Sequence, residues 1–172
     1  MLKVLGSIII IASTSTIGFL YSMVFSERIS QIRDIQYILN MLESEVVFKS
    51  TPVTEAFYNV SLGCSEAVKK LLITISNLLK EKQVEGIIQA FDKSLELVKS
   101  ELYLEDEEIE VIRTFMQTLG IGDLEAQKKN FNITLEKLKT FEKNAEEAKK
   151  KKERLYQYLG VSFGILIVII LI

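Results

Sequence analysis

Histidine is absent from all 172 residues, which removes imidazole as a general base, as a metal ligand and as a member of a catalytic triad. There is one cysteine, Cys64, and it can form neither an intrachain disulfide nor a thiolate cage for a metal. No stretch reads G-x-x-x-x-G-K-[ST] or G-x-G-x-x-G, so a loop that cradles phosphates has no support. A net charge of −2 and a pI near 5.4 argue against nucleic acid, whose phosphates demand a basic face. Carboxylate or lysine catalysis is chemically open to any such chain, but nothing positive points to it. No catalytic residue, cofactor or metal is expected.

Charge is also missing from two long stretches. The chain is 48% hydrophobic and 26% charged, with a mean hydropathy of +0.24, so its apolar residues must be segregated. Apart from Lys3, every charged residue lies between Glu27 and Arg154. From Val4 to Val24 runs VLGSIIIIASTSTIGFLYSMV, and from Leu155 to Ile172 runs LYQYLGVSFGILIVIILI. A helix rising 1.5 Å per residue covers a hydrocarbon core of about 30 Å in runs of this length. A cleaved signal peptide competes for the first run, but that run is long and no A-x-A site follows it. Tyr156 and Tyr158 sit where an interfacial aromatic belt would place them. The expected organisation is a transmembrane helix over 1–25, a helical bundle over 26–154 and a second transmembrane helix over 155–172.

Orientation follows from the flanks. Lys149, Lys150, Lys151, Lys152 and Arg154 crowd the entry to the second run, and positive charge stays cytoplasmic. The reading is a two-pass protein with both termini outward and its bundle in the cytoplasm. Thr14, Gly18 and Ser22 recur every four residues, and Gly160 with Gly164 forms a G-x-x-x-G. Small residues at that spacing let helix backbones approach closely in lipid, either between the two spans or against another protein.

The middle reads as all-α, an antiparallel bundle of about six helices. Ile29, Ile32, Ile35, Leu39, Leu42 and Val46 fall at steps of three and four, a stripe that reaches about Phe48. Thr51 is expected to cap a short helix with Pro52 in its first position and Val53, Ala56, Phe57 and Val60 inward. Ser65 is expected to cap the next helix, which buries Val68, Leu71, Leu72 and Ile75. A further stripe runs from Val84 to Leu102. Glu105–Glu108 opens a helix whose acids complement the macrodipole as a solvated first turn; a metal site is the sharper alternative. That helix closes at the C-cap Gly120, Gly122 follows, and Asp123 caps the last helix. The last pattern, through Phe131, Leu135 and Leu138, runs without a breaker into the second span, roughly 70 Å if uninterrupted. The corner formed by Gly120, Gly122, Asp123 and Gln127 is the candidate partner contact, because glycines and a polar tip expose backbone. Caps alone would also account for it.

Six ordered segments carry a resemblance. They are MLKVLGS, STIGF, SERISQIRDIQYILNMLESEV, STPVTEAF, TLGIGDLEAQKK (Thr118–Lys129) and YLGVSFGILIVIILI. With these the chain resembles the stage III sporulation protein AB family; residues 58–100 share only the helical pattern. The resemblance implies membership of the complex that joins mother cell and forespore in endospore-forming bacteria. Family members look like the cytoplasmic domains of type II secretion and type IV pilus inner-membrane platform proteins, which couple an AAA-type secretion ATPase to membrane components. It implies as partners the ATPase-like stage III sporulation protein AA, other membrane components of the complex and the bilayer, with the bundle on the mother-cell side. The competing class is a passive structural subunit that works through its membrane helices, with the bundle as spacer.

Overall fold

Among the described residues six α-helices account for most of the chain. They are α1 (Leu2–Glu43), α2 (Val53–Ser61), α3 (Glu66–Lys80), α4 (Ile87–Val98), α5 (Asp106–Thr118) and α6 (Leu124–Leu171). A π-helical segment, Ser44–Phe48, extends α1, and a 3-10 turn, Lys99–Glu101, follows α4. The computed structural model describes residues 2–171, with some side chains of the terminal segments outside the described set. Among the described residues there is no strand.

The chain forms two units, Ser30–Glu142 on its own and Met1–Ile29 with Lys143–Ile172. Unit Ser30–Glu142 holds the core. Ile32, Ile35, Leu39 and Leu42 of α1 are buried, as are Ala56, Phe57 and Val60 of α2 and Val68, Leu71, Leu72 and Ile75 of α3. From α4 to α6 the buried set continues with Ala90, Phe91, Val98, Ile112, Phe115, Met116, Phe131, Leu135 and Leu138. Phe115 meets Phe131 edge-on, with ring centroids 4.8 Å apart and planes at 62°, an arrangement that pairs ring edge with ring face. Polar contacts fix the register. Ser65 N–H donates to Asp34 Oδ2 at 3.0 Å, and Ser76 Oγ donates to Thr54 O at 2.7 Å.

Several local expectations are corrected. The inward residue after Leu42 is Val47, not Val46, because the π turn places the next inward position five residues on instead of four. Lys49 N–H accordingly donates to Ser44 O at 3.1 Å. Thr51 does not cap α2: Pro52 occupies the cap position, its carbonyl accepts from Glu55 and Ala56 N–H, and Thr51 Oγ1 turns to Glu45 Oε2 at 2.9 Å. Ser65 precedes α3 as expected, yet its Oγ is buried without a hydrogen bond among the described residues. α4 starts behind Gly86, which leaves Val84 in the preceding bend. The acids of α5 are not all solvated. Glu108 is 0% exposed, and its Oε2 accepts from Glu105 N–H at 2.7 Å as half of a capping box.

Unit Met1–Ile29 with Lys143–Ile172 consists of the start of α1 and the end of α6. Lys152 Nζ lies 5.7 Å from the centre of the Phe25 ring. Among the described residues no helix is long and apolar enough to cross a membrane. Phe19, Leu20, Met23 and Val24 on α1 are exposed, as are Leu155, Tyr158, Phe163, Leu166 and Ile169 on α6, the last at 72%. Of the residues expected to pack in lipid, Thr14 is half-buried. Gly18, Ser22, Gly160 and Gly164 lie outside the described residues.

Candidate partner-docking corner

The corner between α5 and α6 is built on two left-handed glycines. α5 ends at Thr118 with Leu119 as its cap residue, and Gly120 follows at φ +80°. Gly122 adopts φ +90°. A side chain would strain either position, so the sharp reversal needs glycine. Asp123 then starts α6: its Oδ1 accepts from Ala126 N–H at 2.8 Å, as a capping aspartate should. Gln127 N–H donates to Asp123 O at 3.0 Å, while Gln127 Oε1 is buried without a hydrogen bond among the described residues. All four residues expected at this corner therefore lie in it, and at least Asp123 and Gln127 take part in starting the helix.

Sequence reasoning missed the apolar part. Ile121 is 67% exposed and Leu124 is 58% exposed. Phe48, at the end of the π segment, is 69% exposed, although the stripe suggested an inward position. Lys128 Nζ lies 5.6 Å from the Phe48 ring centre, which ties the π segment to the second turn of α6. A Cβ on Gly120 would meet Val53 Cγ2 at 3.8 Å, so the start of α2 borders the same corner. The available signal was Ile121, an apolar residue between two glycines in a turn that cannot bury it.

Glu45 holds this end together. Its Oε1 accepts from Lys49 Nζ at 2.6 Å, and Oε2 accepts from Thr51 Oγ1 and from Asn59 Nδ2 at 3.4 Å. The Lys49 ammonium, helped by Thr51, keeps the Glu45 carboxyl below its ordinary range. At the far end of the same unit, Glu142 accepts from Arg33 Nε at 2.5 Å and Gln36 Nε2 at 2.8 Å, and Arg33 lowers its pKa likewise. Cys64 is unlike both: burial first, then the negative Asp34, pushes its thiol up to about 11.

A cleft of about 420 Å³ lies between α2 and α3 with Tyr58, Asn59, Asn77 and Lys80 on its walls. Among the described residues no three His, Cys, Asp or Glu side chains could hold a metal ion. What this end of the unit exposes is Ile121 and Leu124 at the reversal and Phe48 at the end of the π segment.

The chain is similar to known proteins over nearly its whole length. The family profile described as "Stage III sporulation protein AB" matches residues 3–172. Stage III sporulation protein AB of Bacillus subtilis (strain 168) is 33% identical over 171 residues, which is 99% of each chain. A solved structure of stage III sporulation protein AB superposes with a TM-score of 0.66 at 32% identity, covering 72% of this chain and 97% of the other. On a common sequence, a common fold and a match from end to end, the chain belongs to the stage III sporulation protein AB family.

Proposed function

We propose that this chain is a non-enzymatic, two-pass membrane scaffold of the complex that joins mother cell and forespore during endospore formation. Its bundle stands in the mother-cell cytoplasm and docks the ATPase-like stage III sporulation protein AA through the α5–α6 corner. Other membrane components of the complex contact its spans.

The observation that carries this reading is the exposure of apolar side chains at both ends of the chain. Leu20, Phe163, Leu166 and Ile169 are exposed on helices that also supply the bundle's core. Water penalises such a surface at about 25 cal/mol per Å², whereas lipid tails cover it without that penalty. The lysines at 149–152 supply the positive flank that favours a cytoplasmic bundle. Phe48, Ile121 and Leu124 favour docking over the passive-spacer reading, since a spacer has no use for an apolar corner.

The test uses the full chain in mild detergent, tagged and recovered from sporulating cells. Stage III sporulation protein AA should be recovered with it and lost from the Ile121→Asp, Leu124→Asp double variant, whose melting temperature should hold. Recovery unchanged by the double variant would remove the corner. A strain sporulating normally with that variant, and with no partner recovered, would favour the spacer. A cysteine introduced near residue 90, without Cys64, should resist a membrane-impermeant thiol reagent in intact cells; ready labelling would overturn the orientation.

A further inference from the structure

Four consecutive lysines, Lys149 to Lys152, lie inside the continuous helix α6. Successive helical residues are about 100° apart, so four of them surround the helix instead of marking one side. A partner protein docking on one face would meet only one or two of these ammonium groups. A planar anionic surface pierced by the helix meets all four.

Their local charge balance points the same way. Residues 143–154 hold six basic and three acidic side chains, a local +3 in a chain whose net charge is −2. Lys150, Lys151 and Lys152 are exposed and Lys149 is half-buried. Lys149, Lys150 and Lys151 form no ion pair among the described residues, whereas Lys49, Lys69, Lys70, Lys128 and Lys139 of the bundle each pair with a glutamate. Lys152 is held by the Phe25 ring at 5.7 Å. Phe25 is the last apolar residue of α1 before Ser26, Glu27 and Arg28, so this contact sets the lysine ring at the level where the apolar run ends.

We infer that Lys149, Lys150 and Lys151, aligned by the Lys152–Phe25 contact, form a collar that binds the phosphates of anionic phospholipid headgroups. The inference rests on the membrane-spanning reading given above. Positive charge that serves insertion alone needs no preference among lipids once the chain is in place; a collar does.

The experiment places the purified full chain in a neutral detergent and adds phosphatidylglycerol or phosphatidylcholine, reading retained lipid by native mass spectrometry. Phosphatidylglycerol should be retained in preference. Each lysine near an anionic surface contributes about fivefold in affinity, so the Lys149→Gln, Lys150→Gln, Lys151→Gln variant should lose on the order of 100-fold for phosphatidylglycerol and little for phosphatidylcholine. Raising the salt to about 1 M, where the Debye length is about 3 Å, should erase the preference. Equal retention of the two lipids by the unaltered chain, or a preference that survives the triple variant, would overturn the collar. Competition by millimolar inorganic phosphate would overturn the lipid assignment in favour of a soluble anion. Vesicle flotation separates this result from the spanning reading. A chain that inserts into neutral phosphatidylcholine vesicles but shows no lipid preference retains its spans and loses the collar. A chain that floats only with anionic vesicles keeps the collar and loses the spans.

Discussion

The side-chain amide of Gln31 accepts a hydrogen bond from Tyr103 N–H at 2.8 Å, while its Nε2 donates to Glu101 O at 3.0 Å. One amide thus satisfies a backbone donor and a backbone acceptor on either side of Leu102, as a neighbouring strand would. The residue is 3% exposed, and the segment it holds joins α4 to α5. Lys70 adds an ion pair to the Glu101 carboxylate from α3.

Gln31→Ala should therefore destabilise the bundle by about 1 kcal/mol, the net worth of part-buried hydrogen bonds whose backbone partners water can reach. Amide exchange at Tyr103 should accelerate more than exchange in α3. A melting temperature within error of the unaltered protein would mean that water replaces the clamp.

Leu135 is buried and Asp123 is an exposed cap, so the two should separate core from corner. Leu135→Ala should cost about 2–5 kcal/mol. Asp123→Ala should cost roughly 1 kcal/mol and leave the circular dichroism unchanged. If partner recovery falls with Asp123→Ala far more than stability does, the corner is an interface; loss in proportion to stability makes Asp123 structural only.

Glu45 and Glu142 both titrate below the usual 4.5, held down by Lys49 and Arg33 respectively. A lowered folded pKa contributes stability that is present above the ordinary carboxylate value and is lost as pH falls through the lowered one. The bundle should hold its melting temperature above the ordinary carboxylate value and lose a part of it as pH falls through the lowered ones. Glu142→Gln should narrow that dependence, with its deficit largest at neutral pH and smallest in acid. A deficit that grows in acid would contradict the assignment.

Cys64 should be a slow thiol. With its pKa pushed from 9.0 to about 11, the thiolate fraction at pH 8 is on the order of 100-fold below that of an ordinary cysteine. Disulfide-exchange reagents should modify it slowly in the native protein and quickly in urea. Asp34→Asn should speed the native reaction; rapid native labelling would refute the burial argument.

The helices and their inward faces were legible in the sequence because period and packing agree. Phe131, Leu135 and Leu138 sit three or four residues apart, and only their shared face can enter a core. Asp123 was legible for a similar reason, since its partner is three residues away. Gln31 was not, because its partners lie 70 and 72 residues further on and its amide breaks no periodic rule. Glu108 escaped because a buried acid and a solvated one look alike until the capping box closes around Glu105. Phe48 escaped with the turn that precedes it: stripe counting assumes a constant period, and the π segment changes it. The α5–α6 corner was legible through its glycines, while the exposed apolar side chains Ile121 and Leu124 were overlooked.

That wide turn can also be seen as a one-residue insertion that the fold has absorbed. An α-helical turn from Leu42 would deliver Val46 to the core, whereas here Val47 arrives there and Phe48 is carried out toward Lys128. A relative lacking one residue between Ser44 and Phe48 could close an ordinary turn and keep its valine inside, and the gap in an alignment would fall within a helix instead of a loop. It would also lose the aromatic ring from the corner. Insertion and deletion at this point would thus act on the exposed surface at the end of α1 while leaving the core nearly untouched.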